Sequence, residues 1–283
     1  MTTAEHLPAS PREPATFGRL LRQWRGLRKR SQLDLALDAS VSQRHLSFLE
    51  SGRSQPSRDM VLQLAEALAV PLRERNLLMH AAGFAPAYQQ RPLQDDDMKA
   101  VREALDLTLQ HHEPYPAVVV NRQWDMLMSN RASERFVALL GPPDELWHRV
   151  DPNGGRNVMR MTLHPDGLQT RLRNWPQVAA LLLTRLHREV AANPTHDGLG
   201  QLLADVSQFR GVPAACQSGP PWLAPMPPPI FPLEYDLGVH TLKVFSMVST
   251  FGTALDITAE ELRVETFFPA DDFSRDFFQT LAG

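Results

Sequence analysis

The stretch Ser31 to Pro56, SQLDLALDASVSQRHLSFLESGRSQP, constrains this chain more tightly than any other. Its apolar residues recur at helical spacing in two short runs, divided at Ala39-Ser40-Val41. Ser31 is placed to cap a first helix beginning at Gln32, with Leu35, Ala36 and Ala39 turned inward. Ser42 caps a second, Gln43 to Glu50, in which Leu46 and Leu49 share a face beside Val41 while Gln43, Arg44 and Ser47 point outward. Gly52 supplies the left-handed residue that ends it. Two helices joined in this way leave long hydrogen-bonding side chains at the N-terminal end of an exposed helix, the end a helix-turn-helix inserts into the DNA major groove. There Arg donates twice to guanine and Gln pairs with adenine. The competing reading is an ordinary helical hairpin with a solvated polar face.

Flanking residues extend the module. Phe17, Leu20, Leu21, Trp24 and Leu27 predict a helix from a Thr16 cap. Met60, Val61, Leu64, Ala65 and Leu68 follow a Ser57 cap, and a fifth helix runs from Pro71 to Gly83. Ala36, Val41-Ser42, Leu49-Glu50, Gly52 and Pro56 resemble the helix-turn-helix of phage repressors and XRE-class regulators. That resemblance puts Gln32 on a phosphate, Gln43, Arg44 and Phe48 toward bases, and Arg53 on the backbone, with Ser42 and Ser47 completing the DNA-binding set. Phe48 replaces the polar residue often found there, so a thymine-methyl or packing contact is expected. For Arg19, Arg22, Arg25, Arg28, Lys29 and Arg30, phosphate contact and a solvated face with helpful end charges both remain open.

Charge follows the same division. Residues 1–83 carry 12 Lys/Arg against 8 Asp/Glu, whereas residues 84–283 carry 17 against 24, within an overall formal charge of −3. A basic module suits a phosphate backbone and the acidic remainder does not. The excess is modest, which favours a homodimer on two half-sites of a double-stranded operator. A length of 283 residues suggests about two domains. No apolar run approaches the roughly 18 residues of a membrane span, and the first 15 residues read as a disordered tail rather than a signal peptide. Cys216, the single cysteine, has no internal disulfide partner. The expected compartment is the cytoplasm, with no membrane partner.

Residues 84–97, FAPAYQQRPLQDDD, read as a linker between a helix-turn-helix domain at 16–83 and a second domain at 98–283. An amphipathic helix from Met98 to about His112 packs either on the second domain or on a twin helix. Strands are predicted at 117–120, 124–129, 232–236, 240–251 and 262–268, the fourth central and covered on both faces. A mainly helical insertion, 142–210, and a proline-rich passage, 211–232, interrupt them. The fold class is therefore α+β: a five-helix DNA-binding domain, then a five-stranded antiparallel sheet with helices, which resembles PAS architecture. Strings such as His112-Glu113-Pro114-Tyr115-Pro116, His164-Pro165-Asp166-Gly167-Leu168, Asn174-Trp175 and Thr250-Phe251-Gly252-Thr253 resemble the ligand-binding domain of MmyB-like regulators.

That resemblance implies a sensor for a small apolar ligand, a fatty acid being the family precedent. Trp124, Met126 and Met128, read as one strand face, with Phe136, Phe245, Met247 and Phe251, are the candidate pocket wall; the same residues equally suit plain core packing. His164, Arg171, Asn174 and Trp175 are candidates for its polar end, against surface charge and helix capping. There is no GxSxG, P-loop, GxGxxG or HExxH, and the adjacent residues His111-His112-Glu113 diverge around a helix, so neither catalysis, a metal nor a resident cofactor is expected. The functions this leaves are a ligand-responsive repressor, or a constitutive dimeric repressor whose second domain only oligomerises or docks.

Overall fold

The computed structural model describes residues 16–193, 197–214 and 230–283. The N-terminal tail, Cys216 and most of the proline-rich passage lie outside them. The chain divides into two compact units between Gln89 and Gln90.

The first unit contains α1 (Phe17–Leu27), α2 (Gln32–Asp38), α3 (Gln43–Glu50), α4 (Arg58–Ala67) and α5 (Leu72–Ala81). Ser31, Ser42 and Ser57 each accept a backbone N–H three residues on, fixing the starts of α2, α3 and α4; Thr16 makes no such bond. Leu21, Leu35, Leu46, Leu49 and Leu64 close the core. Gly18 lets α1 lie directly on the end of α3, since a Cβ there would sit 2.6 Å from the carbonyl oxygens of Leu49 and Glu50. In the turn between α2 and α3, Ser40 takes a left-handed φ of 49°, a conformation better suited to glycine.

The division between the units falls inside the expected linker, 84–97, whose residues are anchored on either side of it. The Asn76 side chain on α5 accepts the N–H groups of Ala87 (2.9 Å) and Tyr88 (3.0 Å) and donates to the Tyr88 carbonyl (2.7 Å). Past the boundary, Leu93 and Met98 are buried in the second unit and Arg91 pairs with Asp256 at 3.1 Å. Polar composition hid two good anchors, Tyr88 and Leu93.

The second unit comprises α6 (Lys99–His111), β1 (Ala117–Val120), β2 (Met126–Ser129), α7 (Arg131–Ala138), α8 (Pro143–Val150), α9 (Val158–Leu163), α10 (Trp175–Ala192), α11 (Asp197–Ser207), β3 (Leu233–Leu237), β4 (His240–Ser249), α12 (Ile257–Glu261), β5 (Arg263–Pro269) and α13 (Asp272–Ala282). Its antiparallel sheet has the order β2-β1-β5-β4-β3. As expected, β4 is an interior strand, paired with β5 on one side and β3 on the other, but it is not covered on both faces, since Met247 is exposed. One sheet face, with Ala117, Val119 and Val264, packs on Leu105 and Leu109 of α6, so that helix belongs to this unit. The other face, with Val118, Val120 and Phe267, looks toward α9, α10 and α11. Asn130 ties the start together: its side chain caps α7 through Ser133, accepts the Ala117 N–H and donates to the Tyr115 carbonyl.

Trp124, Met126 and Met128 do not share a face. The β1–β2 register shifts between Val119 and Val120, so Val120 pairs with Met126 but Val119 pairs with Met128. A bulge of this kind breaks the two-residue alternation. It turns Met126 toward α9 and α10 and Met128 toward α6.

Candidate functional site: a reading helix and a cavity

In the first unit, α3 presents Ser42, Gln43 and Arg44 to solvent, with Ser47 and Phe48 half-buried one turn later. Phe48 is flanked by two guanidinium groups, Arg44 at 5.4 Å from the ring centroid and Arg53 at 5.9 Å. Cations stacked on a ring in this way are pre-oriented while remaining charged. Among the described residues, no acid pairs with Arg44 or Arg53. Other basic residues are committed inward: Arg28 donates to the carbonyls of Leu68 and Ala69, Arg30 pairs with Asp38, and Arg25 binds Glu50 through two nitrogens at 2.6 and 3.0 Å. Gln32, expected at a phosphate, donates to Glu50 at 2.8 Å. Burial pushes the Glu50 carboxyl up, but the bonds from Arg25 and Gln32 outweigh it and hold the group below the usual carboxylate range. Glu50 is thus the keystone that orders α1, α2 and α3 beneath the reading surface.

In the second unit a cavity of about 1800 Å³ lies against the Val118–Phe267 face of the sheet. This exceeds the roughly 300–1,000 Å³ usual for small-molecule sites. Four expected pocket residues line it, Met126, Phe136, Phe245 and Met247. By strand alternation the last two side chains belong to the opposite face, where Phe245 stacks on Phe268 at 5.5 Å. The inward residues of β4 are Val244 and Ser246.

The remaining pocket candidates lie outside that wall. Trp124 is buried in the core, donating to Glu189 at 2.9 Å beneath the guanidinium groups of Arg185 and Arg263, and Met128 and Phe251 pack with α6. His164 meets Phe209 edge-on and Arg171 is exposed. Asn174 does not cap α10; it donates to the Pro232 carbonyl and accepts the Glu234 N–H, pinning the start of β3. Trp175 donates to the Gly211 carbonyl at 3.1 Å. The polar end expected from these four is instead supplied by α10. Its residues Gln177, Ala180, Leu181, Thr184, Arg185 and Arg188, at spacings of three and one, all line the cavity and end in two cations. Arg185 is engaged with Glu189, whereas Arg188 is exposed and has no hydrogen bond or ion pair among the described residues. That stripe is visible in the sequence as a helical periodicity within the helical insertion.

A helical module exposing a charged reading helix, followed by a unit with a large, mainly apolar pocket, defines a DNA-binding regulator with a ligand-binding domain. Residues 101–281 match the MmyB-like transcription regulator ligand binding domain, and residues 21–75 match the helix-turn-helix family. The chain belongs to the MmyB-like regulators. No curated protein matches it. Among the described residues, no helix is long and apolar enough to cross a membrane.

Proposed function

We propose that this chain is a non-catalytic cytoplasmic repressor, working as a homodimer on a two-half-site operator, whose PAS-like second unit senses a small apolar ligand such as a fatty acid. The observation that carries this reading is the cavity itself: an apolar volume of about 1800 Å³ with a cation on its wall, Arg188, that no described residue engages. A carboxylate head group seated on Arg188 would leave the acyl chain against Met126, Val244, Phe267 and Leu181. Ligand acts only through its different affinity for two arrangements of the protein, a coupling that typically amounts to about 1–3 kcal/mol.

The test is native mass spectrometry of freshly purified protein, followed by extraction and identification of whatever is released. A dimer carrying a lipid of fatty-acid mass is expected. A dimer with no extractable lipid and no thermal shift on adding fatty acids would favour the constitutive repressor with a structural second unit, and a monomer would contradict the two-half-site arrangement.

A further inference from the structure

An acyl chain anchored at Arg188 leaves three hydrogen-bonding groups of the cavity without a role. Strand alternation sets Ser246 and Glu265 on the cavity face of the sheet: Ser246 pairs with Phe267 and Val248 with Glu265. Tyr235 reaches the same face from β3 through its pairing with Leu242. All three residues line the cavity.

Glu265 differs from its neighbour Glu189. Glu189 is consumed by Trp124, Arg185 and Arg263, which donate to it at 2.9, 3.1 and 2.9 Å. Glu265 forms no ion pair among the described residues. The Ser246 hydroxyl donates to it, and the charges of Arg185 and Arg263 reach it, yet burial dominates and raises its carboxyl above the usual range. The Tyr235 hydroxyl has no hydrogen-bond partner among the described residues. Burial raises it too, with a contribution from the charge of Glu265, so the two groups sense each other across the cavity. Polar groups in such surroundings demand partners, and a hydrocarbon laid over them supplies none.

We propose that Glu265 and Ser246, diagonal neighbours on the cavity face, form a hydrogen-bonding station inside the cavity, and that its ligand is an apolar molecule carrying a neutral hydroxyl in its buried part. This rests on the sensor reading above and narrows its ligand class. A hydroxyl both donates and accepts, so it satisfies Glu265 in either protonation state. A carbonyl can only accept. An ammonium would sit in the positive field of Arg185 and Arg263, which an uncharged group does not feel.

The experiment is calorimetric titration of the delipidated full chain with palmitic acid, and with palmitic acids bearing a hydroxyl or a ketone near the head, at mid-chain or at the tail. One hydroxylated isomer should bind about tenfold more tightly than the plain acid and than its ketone counterpart. Glu265→Leu should erase that preference and Glu265→Gln should keep part of it. Should Glu265→Leu fail to fold, Ser246→Ala, which removes one hydroxyl, should shrink the preference. Equal binding of plain, hydroxylated and ketone chains, or a preference untouched by these substitutions, would overturn the station and leave the sensor reading standing. Binding of none of them would overturn both.

Discussion

Glu50 and Glu265 are glutamates in different units, one buried in a helical core and one half-buried at a cavity wall, and the chain treats the two carboxyls in opposite ways. Glu50 receives Arg25 at two oxygens and Gln32 at one, so its charge is stabilised and its carboxyl lies low. Glu265 receives one serine hydroxyl and faces a cavity, so its carboxyl lies high. A buried acid that is fully answered by its own chain is part of the scaffold. One left half-answered at the wall of an open volume is a cost in the empty protein, and the difference marks where a ligand belongs.

Removing the two carboxylates should separate their roles. Glu50→Ala strands Arg25 and Gln32 and should cost the first unit about 3 kcal/mol, read as lost hydrogen-exchange protection in α1 to α3, with ligand affinity unchanged. Comparable protection in the variant would mean that Glu50 is not the keystone. Gly18→Ala presses a methyl group onto the carbonyls of Leu49 and Glu50 and should cost about 1–3 kcal/mol in the same measurement, again without touching the cavity.

On the reading helix, Arg44 and Arg53 share the ring of Phe48 but not a role. Arg44→Ala should lose about 1–3 kcal/mol at one base pair of a selected operator, whereas Arg53→Ala should weaken all sequences alike and flatten the salt dependence. Equal effects of both on specific and random DNA would contradict the assignment.

The smallest effect is on the pH dependence of stability. Because Glu50 is depressed in the folded state, its contribution is present above the unfolded carboxylate value of about 4.3 and is lost as pH falls through the folded one. Glu265 is raised, so its contribution is complete below that same unfolded value and is lost as pH rises through the folded one. Urea unfolding against pH should show Glu50→Gln flattening the acid limb and Glu265→Gln flattening the limb above it. Identical profiles for the two variants would erase the contrast.

The reading helix was legible in sequence because everything that makes it is local: Ser42 caps it, Gly52 ends it, and Leu46 and Leu49 orient it within eight residues. Each of the five strands was found to within two residues for the same reason. The cavity was less legible, because its wall is assembled across the sheet. A one-residue bulge moved Met128 to the other face, and only the β4–β5 register shows Ser246 and Glu265 turned together. Asn174 and Trp175 stand out in the sequence as a pair, but their partners, the backbone of Pro232, Glu234 and Gly211, are distant in sequence, and neither residue lines the cavity. The spacing of the α10 stripe is local and visible in the sequence, but that Arg185 and Arg188 line a cavity follows only from where the helix packs on the sheet.

The most direct test of the account is the affinity of delipidated protein for an operator selected from random DNA, measured with and without the ligand that occupies the cavity. A change of about 5- to 150-fold is expected, with release the sign for a repressor relieved by its ligand. Unchanged operator affinity at full cavity occupancy would contradict it, leaving a DNA-binding unit joined to a lipid-binding one with no coupling between them.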